Sequence, residues 1–520
     1  MTQKTASVIV DSSKIALKYV SPRSLHISID SRFWRRVLSV TSRRNSTQDI
    51  IFTFLAVVVI PNFIFLIVNQ FWFIDRALFN IDYLLLCLIL IPFGPIAVAI
   101  GVAFILVLDV VFAFAPAYHF SLSTVLQSVS DMFKLEPAFL VVEICKVTTL
   151  VLLGTISTYY LIKNTHSKKL VMVTCVISSI ILVLLDVNLS ANALGSRSAN
   201  SLSINISASS INNLRLAVNT TDRSDQDQYF EKSESASKIL RVVHSASVEG
   251  FQSIILIVVE SLGEFATSEL NDIQLAPIFT LKDHPGITID SGNVKFEGST
   301  VPGELRELCG IRLLTAHPNT AVLPIHDCLP KKLDEAGYDT LAIHGFIGTM
   351  FSRNQWYPAL GFDEVWFASE IDGLISDVDR CGIAFHGVCD VDIWKKIVAL
   401  HSDKSQSKRF IYWLTLSAHL PVERPRQSDS FRCADYQALA QNNELCSLVM
   451  RHRQLFSEIA KNIKNGALQN SRIILVGDHA PPFLDNSTRT LFTSGTVPYV
   501  DIRVASGNGS INRFEKTSKP

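Results

Sequence analysis

Residues 253–260 read Ser-Ile-Ile-Leu-Ile-Val-Val-Glu, a continuous apolar run that ends in a carboxylate. Three similar runs, 339–344, 410–419 and 472–479, follow it in the second half of the chain. Uninterrupted apolar runs of this length are typical of strands buried on both faces of a parallel α/β sheet, and ligands bind beyond the carboxyl ends of such strands. We therefore expect the polar residues that end the four runs to gather at one edge of the sheet and to form an active site. They are Glu260, His344, His419, Asp478 and His479.

The first half of the chain is too apolar for an ordinary soluble enzyme. The 520 residues are 48% hydrophobic, with a mean hydropathy of +0.29. A transmembrane helix requires about 20 apolar residues, and stretches at 48–72, 80–116, 138–162 and 168–187 are each long enough. The second stretch is nearly twice that length and is interrupted at Pro92-Phe93-Gly94-Pro95, which favours two helices joined by a turn. The sequence therefore predicts five transmembrane helices.

The distribution of charge indicates how these helices are oriented. Residues 1–48 carry nine Lys and Arg but only two Asp, so the positive-inside rule makes this segment cytoplasmic. Five spans also place the basic loop 163–169 inside and everything after residue 187 outside, whereas four spans would place that loop outside. We expect a multi-pass protein of the bacterial cell (inner) membrane, with its large domain on the periplasmic or extracellular side. The formal net charge of zero gives no support for a nucleic-acid partner.

Cysteine spacing agrees with an oxidising compartment. Three of the nine cysteines, Cys87, Cys145 and Cys175, fall within the predicted spans. The other six lie in the outer domain as near neighbours, and an even number at short spacing is typical of disulfides. Proximity suggests sequential pairs, although six cysteines allow fifteen connectivities and six unrelated thiols are the alternative. The pairs would be Cys309 with Cys328, Cys381 with Cys389, and Cys433 with Cys446.

Composition shifts divide the chain into five segments. Each begins where apolar content, charge or Ser and Asn content changes. The segments are a basic cytoplasmic segment at 1–47, a transmembrane domain at 48–187, a Ser/Asn-rich linker at 188–249, a catalytic domain at 250–510 and a tail at 511–520.

A candidate nucleophile lies between the first two apolar runs of the catalytic domain, in residues 296–305. Its hydroxyl residues follow Gly298 and precede Pro302, as at the start of a helix, where exposed backbone N–H groups favour an anion. Thr300 needs a base or metal to lower its pKa, and spacing leaves Ser299 and Ser261 as competitors. A divalent cation would be held by Glu260, Asp478 and His479, with Thr300 as a fourth ligand. This set suits zinc, although manganese and magnesium also accept oxygen-rich sites.

Several short windows resemble the alkaline phosphatase/sulfatase superfamily. They are Val259-Glu260-Ser261, Gly298-Ser299-Thr300 with Glu304, Leu416-Ser417-Ala418-His419-Leu420-Pro421, and Gly477-Asp478-His479. Within the superfamily the chain most resembles the membrane-anchored branch of lipoteichoic acid synthases and phosphoethanolamine transferases. The stretch from His344 to Asp363, which includes Arg353, is similar to the glycerol-phosphate-binding segment of lipoteichoic acid synthases. The Cys381/Cys389 and Cys433/Cys446 pairs look like the disulfide pattern of phosphoethanolamine transferases.

This resemblance implies a fold and a reaction. The fold is a five-helix transmembrane domain followed by an extracytoplasmic, alkaline phosphatase-like α/β domain with a central, mostly parallel sheet. The implied activity is metal-dependent transfer of phosphoethanolamine or phosphoglycerol from a phospholipid to an envelope glycan or lipid, with one or two divalent ions, zinc foremost. Thr300 would be the nucleophile and would carry a phospho-threonine intermediate. His344, Arg353 and His419 would contact the phosphate or protonate the leaving group.

The sequence departs from the pattern of these transferases at two places, and two alternative functions compete with the transferase prediction. Val301-Pro302-Gly303 replaces the Ser-Val-Pro-Cys run of phosphoethanolamine transferases, which leaves the head group open, and Ala480 stands where Gly is more usual. A sulfatase-like phosphodiesterase or ester hydrolase would use the same metal site, but the Arg of the common sulfatase motif is replaced by Glu304. The second alternative is a non-catalytic membrane binding protein, in which Thr300 would be a simple helix N-cap.

Overall fold

The structure of the chain is a computed structural model. It describes residues 9–11, 14–17, 27–30, 46–64, 79–114, 129–193, 207–208, 230–233, 237–296, 298–313, 318, 320–321, 323–402, 408–425 and 431–506. The last part of the first apolar stretch, most of the predicted linker and the predicted tail lie outside these residues. A small antiparallel sheet precedes the helices. Its strands are Ile9–Asp11, Lys14–Leu17 and Ile27–Asp30.

Five helices occupy the predicted membrane-spanning residues. They are α1 (Ser46–Phe54, continued by a π-helical segment at Leu55–Val59), α2 (Asp82–Leu90), α3 (Pro95–Phe114), α4 (Pro137–Lys163) and α5 (Lys168–Ala193). The interruption predicted at residues 92–95 is confirmed, because α2 ends in a 3-10 turn at Ile91–Phe93 and Gly94 follows with a φ of 98°. Glycine adopts this left-handed backbone without a Cβ clash.

By length and composition, two of these helical segments are candidates for crossing a membrane. In the described part of the chain, Thr47–Ile64 and Pro137–Lys163 are long and apolar enough, whereas Asp82–Phe93 and Pro95–Val110 are apolar but shorter. Only 11% of the most apolar window of Pro137–Lys163 is buried inside the protein. Its apolar side chains therefore face outward, as they do on a lipid-facing helix. The crossing of the bilayer by all five helices stays a prediction.

The contacts at the two ends of α4 fit the predicted orientation. At one end the Asp49 carboxylate accepts hydrogen bonds from the backbone N–H groups of His166 and Ser167, at 3.1–3.2 Å, so the start of α1 lies beside the basic loop. At the other end the Glu136 N–H donates to the carbonyl oxygen of Ala384 in the large domain, at 2.9 Å. The basic loop and the large domain therefore lie at opposite ends of α4.

The large domain is built on a seven-stranded sheet. Its strands are β1 (Ser253–Val259), β2 (Ile287–Lys295), β3 (Asp339–His344), β4 (Glu364–Trp366), β5 (Arg409–Leu414), β6 (Ser471–Gly477) and β7 (Thr496–Val504). Their order across the sheet is β4-β3-β5-β1-β6-β7-β2. All pairings from β4 to β6 are parallel, whereas β7 is antiparallel to both β6 and β2. The predicted α/β domain with a mostly parallel sheet is confirmed.

Helices cover both faces of this sheet, which explains the uninterrupted apolar runs. They are α6 (Ser237–Glu249), α7 (Ser268–Phe279), α8 (Thr300–Cys309), α9 (Asp390–Ser402) and α10 (Asn443–Lys464). Successive β1 side chains point to opposite faces, so Leu256 packs in one core with α6 and α8. Its neighbour Ile257 packs in a second core with α7, α9 and α10. Fully burying a side chain of this size stabilises the fold by about 1.5–3 kcal/mol.

Helix α6 lies within the residues predicted to be linker. Its Ile239, Val243 and Ala246 are fully buried in the same core as β1. Strand Phe230–Lys232, also in that segment, pairs with Ile311–Leu313 of the large domain. We therefore propose that the catalytic domain begins by residue 230 rather than at 250. The Ser and Asn content of this segment allowed for one or two short helices but gave no sign that one of them packs in the core of the domain.

The three sequential disulfides are confirmed. Cys309 is bonded to Cys328, Cys381 to Cys389, and Cys433 to Cys446. The remaining described elements are short. The helices and 3-10 turns are Val129–Met132, Ile325–Asp327, Leu329–Glu335, Met350–Ser352, Arg353–Ala359, Ala368–Leu374, Cys433–Asp435, Gln437–Ala440 and Asn486–Arg489. The strands are Phe79–Asn80, Ser207–Ala208, Arg380–Cys381 and Gly387–Val388.

Candidate active site

Three predicted metal ligands meet where β1 and β6 end. Val259 is paired with Gly477 in the parallel register, so the next residues along each strand, Glu260 and Asp478, emerge side by side. Glu260, Asp478 and His479 are all buried, and each offers a ligand atom within 4.8 Å of the others. The structure therefore brings the carboxylate of Glu260 together with the carboxylate and imidazole of Asp478 and His479, which lie more than 200 residues further along the chain.

Hydrogen bonds orient these side chains toward a common point. Asp478 Oδ1 accepts from the backbone N–H groups of Ser261, at 2.8 Å, and His479, at 2.7 Å. Among the described residues, Asp478 Oδ2 is buried without a hydrogen-bond partner. His479 Nδ1 lies 2.8 Å from the carbonyl oxygen of Ala480, which can only accept, so Nδ1 carries the proton and Nε2 keeps its lone pair. The Oδ2 atom of Asp478 lies 3.2 Å from His479 Nε2, and carboxylate oxygens beside an imidazole nitrogen are a donor set that fits a divalent cation.

The charges of the site also fit a cation. Burial and the nearby charge of Asp478 raise the pKa of the Glu260 carboxyl well above its ordinary value. Two buried carboxylates that lie this close repel one another unless a proton or a metal ion compensates them. Ser261 donates to Glu260 Oε1 at 2.9 Å and has a left-handed backbone with φ of 56°, a strained conformation that keeps Glu260 facing the cluster. The donor set therefore fits zinc.

Thr300 lies at the opening of this cluster. It is the first residue of α8, and Ser299 occupies the N-cap position, so Thr300 is not the N-cap. Its Oγ1 lies 3.2 Å from His479 Nε2 and 3.4 Å from Glu260 Oε2. The competing hydroxyl of Ser261 instead donates to Glu260. Thr300 is therefore the hydroxyl that the structure brings to both metal-ligand candidates.

Two residues of α8 that the sequence analysis did not single out hold the helix against the cluster. A Cβ on Gly303 would lie only 2.9 Å from the backbone oxygen of Asp478, so α8 approaches this closely because position 303 has no side chain. Arg306 is buried and donates to the carbonyl oxygens of Gly477, at 2.8 Å, and Asp478, at 3.2 Å. The helix carrying Thr300 is therefore tied directly to the strand end that carries the metal-ligand candidates.

His344 and His419 each hold one ring nitrogen against a backbone carbonyl oxygen. Nδ1 of His344 lies 3.2 Å from the oxygen of Leu414, and Nδ1 of His419 lies 2.7 Å from the oxygen of Leu420, so Nε2 is unprotonated in each neutral ring. Burial, and secondarily the charge of Arg353, lowers the pKa of His344 well below its ordinary value. Burial lowers the pKa of His419 to about 4, although this residue is partly exposed. Both imidazole rings are therefore neutral at neutral pH when no anion is bound beside them.

Arg353 is buried in a polar network rather than exposed on the surface. Its Nε and Nη2 donate to Glu304 Oε2 at 3.0 and 2.7 Å. Glu304 Oε1 accepts from the hydroxyl groups of Tyr412, at 3.1 Å, and Tyr357. The negative charge of Glu304 keeps the pKa of Arg353 high despite burial, so its charge persists next to the histidines. A role of Arg353 in binding phosphate stays a prediction.

Two further positioning residues were not identified from sequence. His452 on α10 donates from Nε2 to the backbone oxygen of Glu260, at 3.0 Å. The Asp390 carboxylate accepts from the N–H groups of Leu416, at 2.9 Å, and Ser417, at 2.8 Å, in the turn that leads to His419. Asp390 directly follows Cys389, whose pairing with Cys381 resembles phosphoethanolamine transferases, and this position was the sequence signal that could have identified Asp390. The sequence contained no such signal for His452, because a buried histidine on a helix has no local sequence signature.

Asp390 gives a testable pH dependence. Burial raises the pKa of its carboxyl to about 6 from 3.8 in an unfolded chain. The folded protein therefore holds this proton more tightly than the unfolded chain does, and the resulting stabilisation is complete below pH 3.8 and lost as the pH rises through about 6. Two pKa units correspond to about 3 kcal/mol. Relative to Asp390→Asn, the free energy of unfolding of the wild type should fall by about this amount between about pH 4 and 6.5.

Thermal unfolding of both proteins across this pH range measures the effect. The comparison between the two proteins cancels the titration of all other groups. Parallel pH profiles of the wild type and Asp390→Asn would contradict the assignment of a raised pKa to this carboxyl.

Comparisons with known proteins agree with this geometry. Residues 253–503 match the family model described as Sulfatase. No curated protein sequence matches the chain. Similar solved structures include the lipoteichoic acid synthase LtaP from Listeria monocytogenes, at 14% identity over 53% of this chain and 72% of that chain, with a TM-score of 0.37. The phosphoglycerol transferase GacH from Streptococcus pyogenes shares 14% identity over 52% of this chain and 77% of that chain, with a TM-score of 0.33.

The zinc complex of the periplasmic domain of EptC from Escherichia coli shares 13% identity over 53% of this chain and 75% of that chain, with a TM-score of 0.36. Similarity at this level does not by itself assign an activity or a substrate. The family model rests on the sequence and spans every strand of the large sheet. The large domain of this chain, residues 253–503, therefore belongs to the sulfatase family of the alkaline phosphatase/sulfatase superfamily.

Proposed function

We propose that this protein is a metal-dependent transferase that moves a phospholipid head group, phosphoethanolamine or phosphoglycerol, onto an envelope glycan or lipid. The observation that carries the proposal is the position of Thr300, whose Oγ1 lies 3.2 Å from His479 Nε2 and 3.4 Å from Glu260 Oε2 at the start of α8. A hydroxyl at this position is suited to nucleophilic attack on phosphorus. The free N–H groups at the start of the helix favour the anionic group that it attacks.

The reaction consists of two displacements at phosphorus. In the first, the Thr300 hydroxyl releases its proton to solvent and Oγ forms a bond to phosphorus while the bond from phosphorus to the diacylglycerol oxygen breaks, and that oxygen leaves with a proton from a histidine. In the second, an acceptor hydroxyl attacks the phospho-threonine and restores the Thr300 hydroxyl. Bound zinc would supply Lewis-acid polarisation and lower the pKa of the attacking hydroxyl.

His344 and His419 would manage protons on the leaving oxygen. Both are neutral in the free protein, but an anionic phosphoryl group beside them favours the protonated ring and raises its pKa. His419 or His344 could then donate a proton from Nε2 to the departing alkoxide and recover it from the acceptor. The guanidinium of Arg353, whose orientation Glu304 maintains through two hydrogen bonds, would stabilise charge on the transferring group.

We also propose that the protein is a multi-pass protein of the cell (inner) membrane with its catalytic domain on the periplasmic or extracellular face. The location of the basic loop and the large domain at opposite ends of α4 supports this orientation. Three disulfides support an oxidising compartment. Anchoring would hold the site near its lipid donor and raise the effective concentration of that donor.

The segment after Thr300 argues against a sulfatase of the common type. Such enzymes convert a Cys or Ser in a Cys/Ser-x-Pro-x-Arg run to formylglycine, and this chain has Glu304 at the position of the Arg. The Glu304 carboxylate is buried and accepts hydrogen bonds from Arg353 and two tyrosines, so this residue maintains a different network. This difference favours an unmodified threonine nucleophile.

Mass spectrometry of the peptide containing Thr300 tests the proposal. We expect wild-type protein purified from membranes to carry a phosphoethanolamine or phosphoglycerol adduct on this peptide. Thr300→Ala should lack the adduct, whereas the neighbouring Ser299→Ala should retain it. An unmodified Thr300 in protein that contains metal would instead favour a hydrolase, and protein without metal or adduct would favour a binding role.

A further inference from the structure

A short loop closed by a disulfide lies directly against the proposed proton-transfer histidines. Cys381 and Cys389 close this loop, which we call the lip loop. The ring centroid of Phe385, within the loop, is 3.9 Å from that of His419. The N–H of Val388 donates to the oxygen of Gly345, the residue after His344, at 2.8 Å. The lip loop therefore contacts the segments that carry both histidines.

The other side of the lip loop meets the start of α4. The Glu136 N–H donates to the oxygen of Ala384 at 2.9 Å, and Glu136 immediately precedes Pro137, where the long apolar helix begins. Nearby, Lys134 Nζ donates to the oxygen of Thr349 at 2.6 Å. Leu135 packs against the apolar cluster that contains Phe346, Met350 and Leu416, to which Phe385 also belongs. If α4 spans the membrane, these contacts place the lip loop at the level where the bilayer begins.

The lip loop and the neighbouring segment 344–352 are apolar and uncharged, and the charged Lys134 and Glu136 lie beside them at the start of α4. Ile383, next to Ala384, is 42% exposed, and Ile347, two residues before Thr349, is 39% exposed. Phe133, on the segment leading to α4, is 71% exposed. Residues 381–389 and 344–352 contain no Lys, Arg, Asp or Glu. Exposed apolar side chains in an uncharged surface fit a lipid interface better than bulk water.

We propose that the lip loop and residues 345–351 form a lipid-contacting edge of the active site, with Ile383 and Ile347 in the head-group layer and Phe385 against His419. The occupant of this surface is the bilayer itself, because the surface is continuous with the first residue of the apolar helix α4. The consequence for catalysis rests on the proposed function: a phospholipid head group would reach Thr300 without its acyl chains leaving the membrane. The disulfide then holds the edge in a fixed position relative to the histidines.

Photocrosslinking tests the contact without requiring any catalysis. Full-length protein with benzoylphenylalanine in place of Ile383 is reconstituted into nanodiscs of phosphatidylethanolamine and phosphatidylglycerol and then irradiated. The matched control carries the same group in place of Val248, an exposed apolar residue just before β1, at the opposite edge of the sheet from the active site. We expect phospholipid adducts at position 383 at several times the yield at 248, and equal yields would overturn the proposal.

A second variant tests the consequence for catalysis. Ile383→Asp places a charge in the head-group layer and should lower the rate of Thr300 adduct formation from nanodisc phospholipid by about tenfold. In Ile383→Asp, the rate of hydrolysis of soluble bis(p-nitrophenyl) phosphate and the zinc content should stay at wild-type values. In Val248→Asp, the rate of adduct formation, the rate of hydrolysis and the zinc content should all stay at wild-type values. If Ile383→Asp forms the Thr300 adduct from nanodisc phospholipid at the wild-type rate, the lipid-contacting edge does not deliver the head group to Thr300. Absence of the adduct in the wild type would contradict the proposed function, while the crosslinking result would still decide the lipid contact.

Discussion

Replacing Asp478 with Asn should abolish zinc binding and head-group transfer while leaving the fold intact. Asp478 Oδ1 accepts two backbone N–H groups, from Ser261 and His479, and the amide oxygen of Asn can keep both bonds. The amide nitrogen then occupies the position of Oδ2, which is buried without a hydrogen-bond partner among the described residues. An NH2 group donates hydrogen bonds and cannot ligate a cation. The substitution therefore removes the ligand without removing the contacts that hold the loop.

The expected effects are large. The content of bound divalent metal, measured for zinc, manganese and magnesium, should fall from its wild-type value to near zero. Transfer should slow by at least about 10²–10³-fold, because electrostatic stabilisation at the reacting centre is lost. Metal analysis by mass spectrometry and adduct formation on Thr300 measure the two effects. Asp272→Asn, the same chemical change at an exposed position on α7, should alter neither quantity.

Thermal unfolding in a chelator distinguishes a lost ligand from a lost fold. In the metal-free protein the charge of Asp478 raises the pKa of buried Glu260, which shows that the two carboxylates oppose each other. Neutralising one of them should leave the melting temperature of metal-free Asp478→Asn equal to or above that of the metal-free wild type. Wild-type zinc content in Asp478→Asn, or a much lower melting temperature in the chelator, would contradict this account.

Replacing Gly303 with Ala should disrupt the active site by overpacking. The added Cβ would lie 2.9 Å from the oxygen of Asp478 and 3.1 Å from its Cα and Cβ. These are backbone or near-backbone atoms of a metal-ligand candidate and cannot rotate away, so α8 must shift. Overpacking of this kind destabilises proteins by about 1–3 kcal/mol. That exceeds the gain of up to about 1 kcal/mol from replacing Gly with Ala in a helix.

The effect on catalysis should exceed the effect on stability. Any outward shift of α8 moves Thr300 Oγ1 from its distances of 3.2 and 3.4 Å to His479 and Glu260. A displacement of about 1 Å can slow a positioned reaction about 10²-fold. We expect Gly303→Ala to lose adduct formation by roughly this factor and to melt at a lower temperature than the wild type.

Gly373→Ala is the matched control for this substitution. Gly373 lies in the helix Ala368–Leu374, and no atom is within 4 Å of the position where its Cβ would be. This control should keep full activity and gain up to about 1 kcal/mol of stability from helix propensity. Equal behaviour of the two Gly→Ala variants would refute close packing at Gly303.

Much of the sheet could be predicted from local patterns. Strand β1 is apolar at every position after Ser253 because both of its faces are buried, and this uninterrupted apolar run is visible without coordinates. Parallel strands have their carboxyl ends at one edge of the sheet. Glu260 follows the end of β1, and Asp478 and His479 follow the end of β6, so these three residues come together. Separations of 8–19 residues suggested the sequential cysteine pairs, which the structure confirms, although spacing left fifteen connectivities open.

Other features could not be predicted because they depend on contacts between distant segments. Arg353 has no local signature that distinguishes a surface arginine from one buried against Glu304. The short stretch of core residues in α6 was obscured by the polar composition of its surroundings. Asp390 and His452 act through backbone groups of segments 26 or more residues away, and sequence spacing does not encode such contacts.

The sequence by itself therefore determined the parallel sheet and the residues at its carboxyl edge, because both arise from apolar runs along single segments, and short separations suggested the disulfide pairs that the structure then decided. Only the tertiary structure decided how close α8 comes to Asp478, which partner holds Arg353, and which surface lies beside the start of α4. These features depend on the packing of whole elements against one another. Shape and distance decide such packing, and neither is present in the local order of residues.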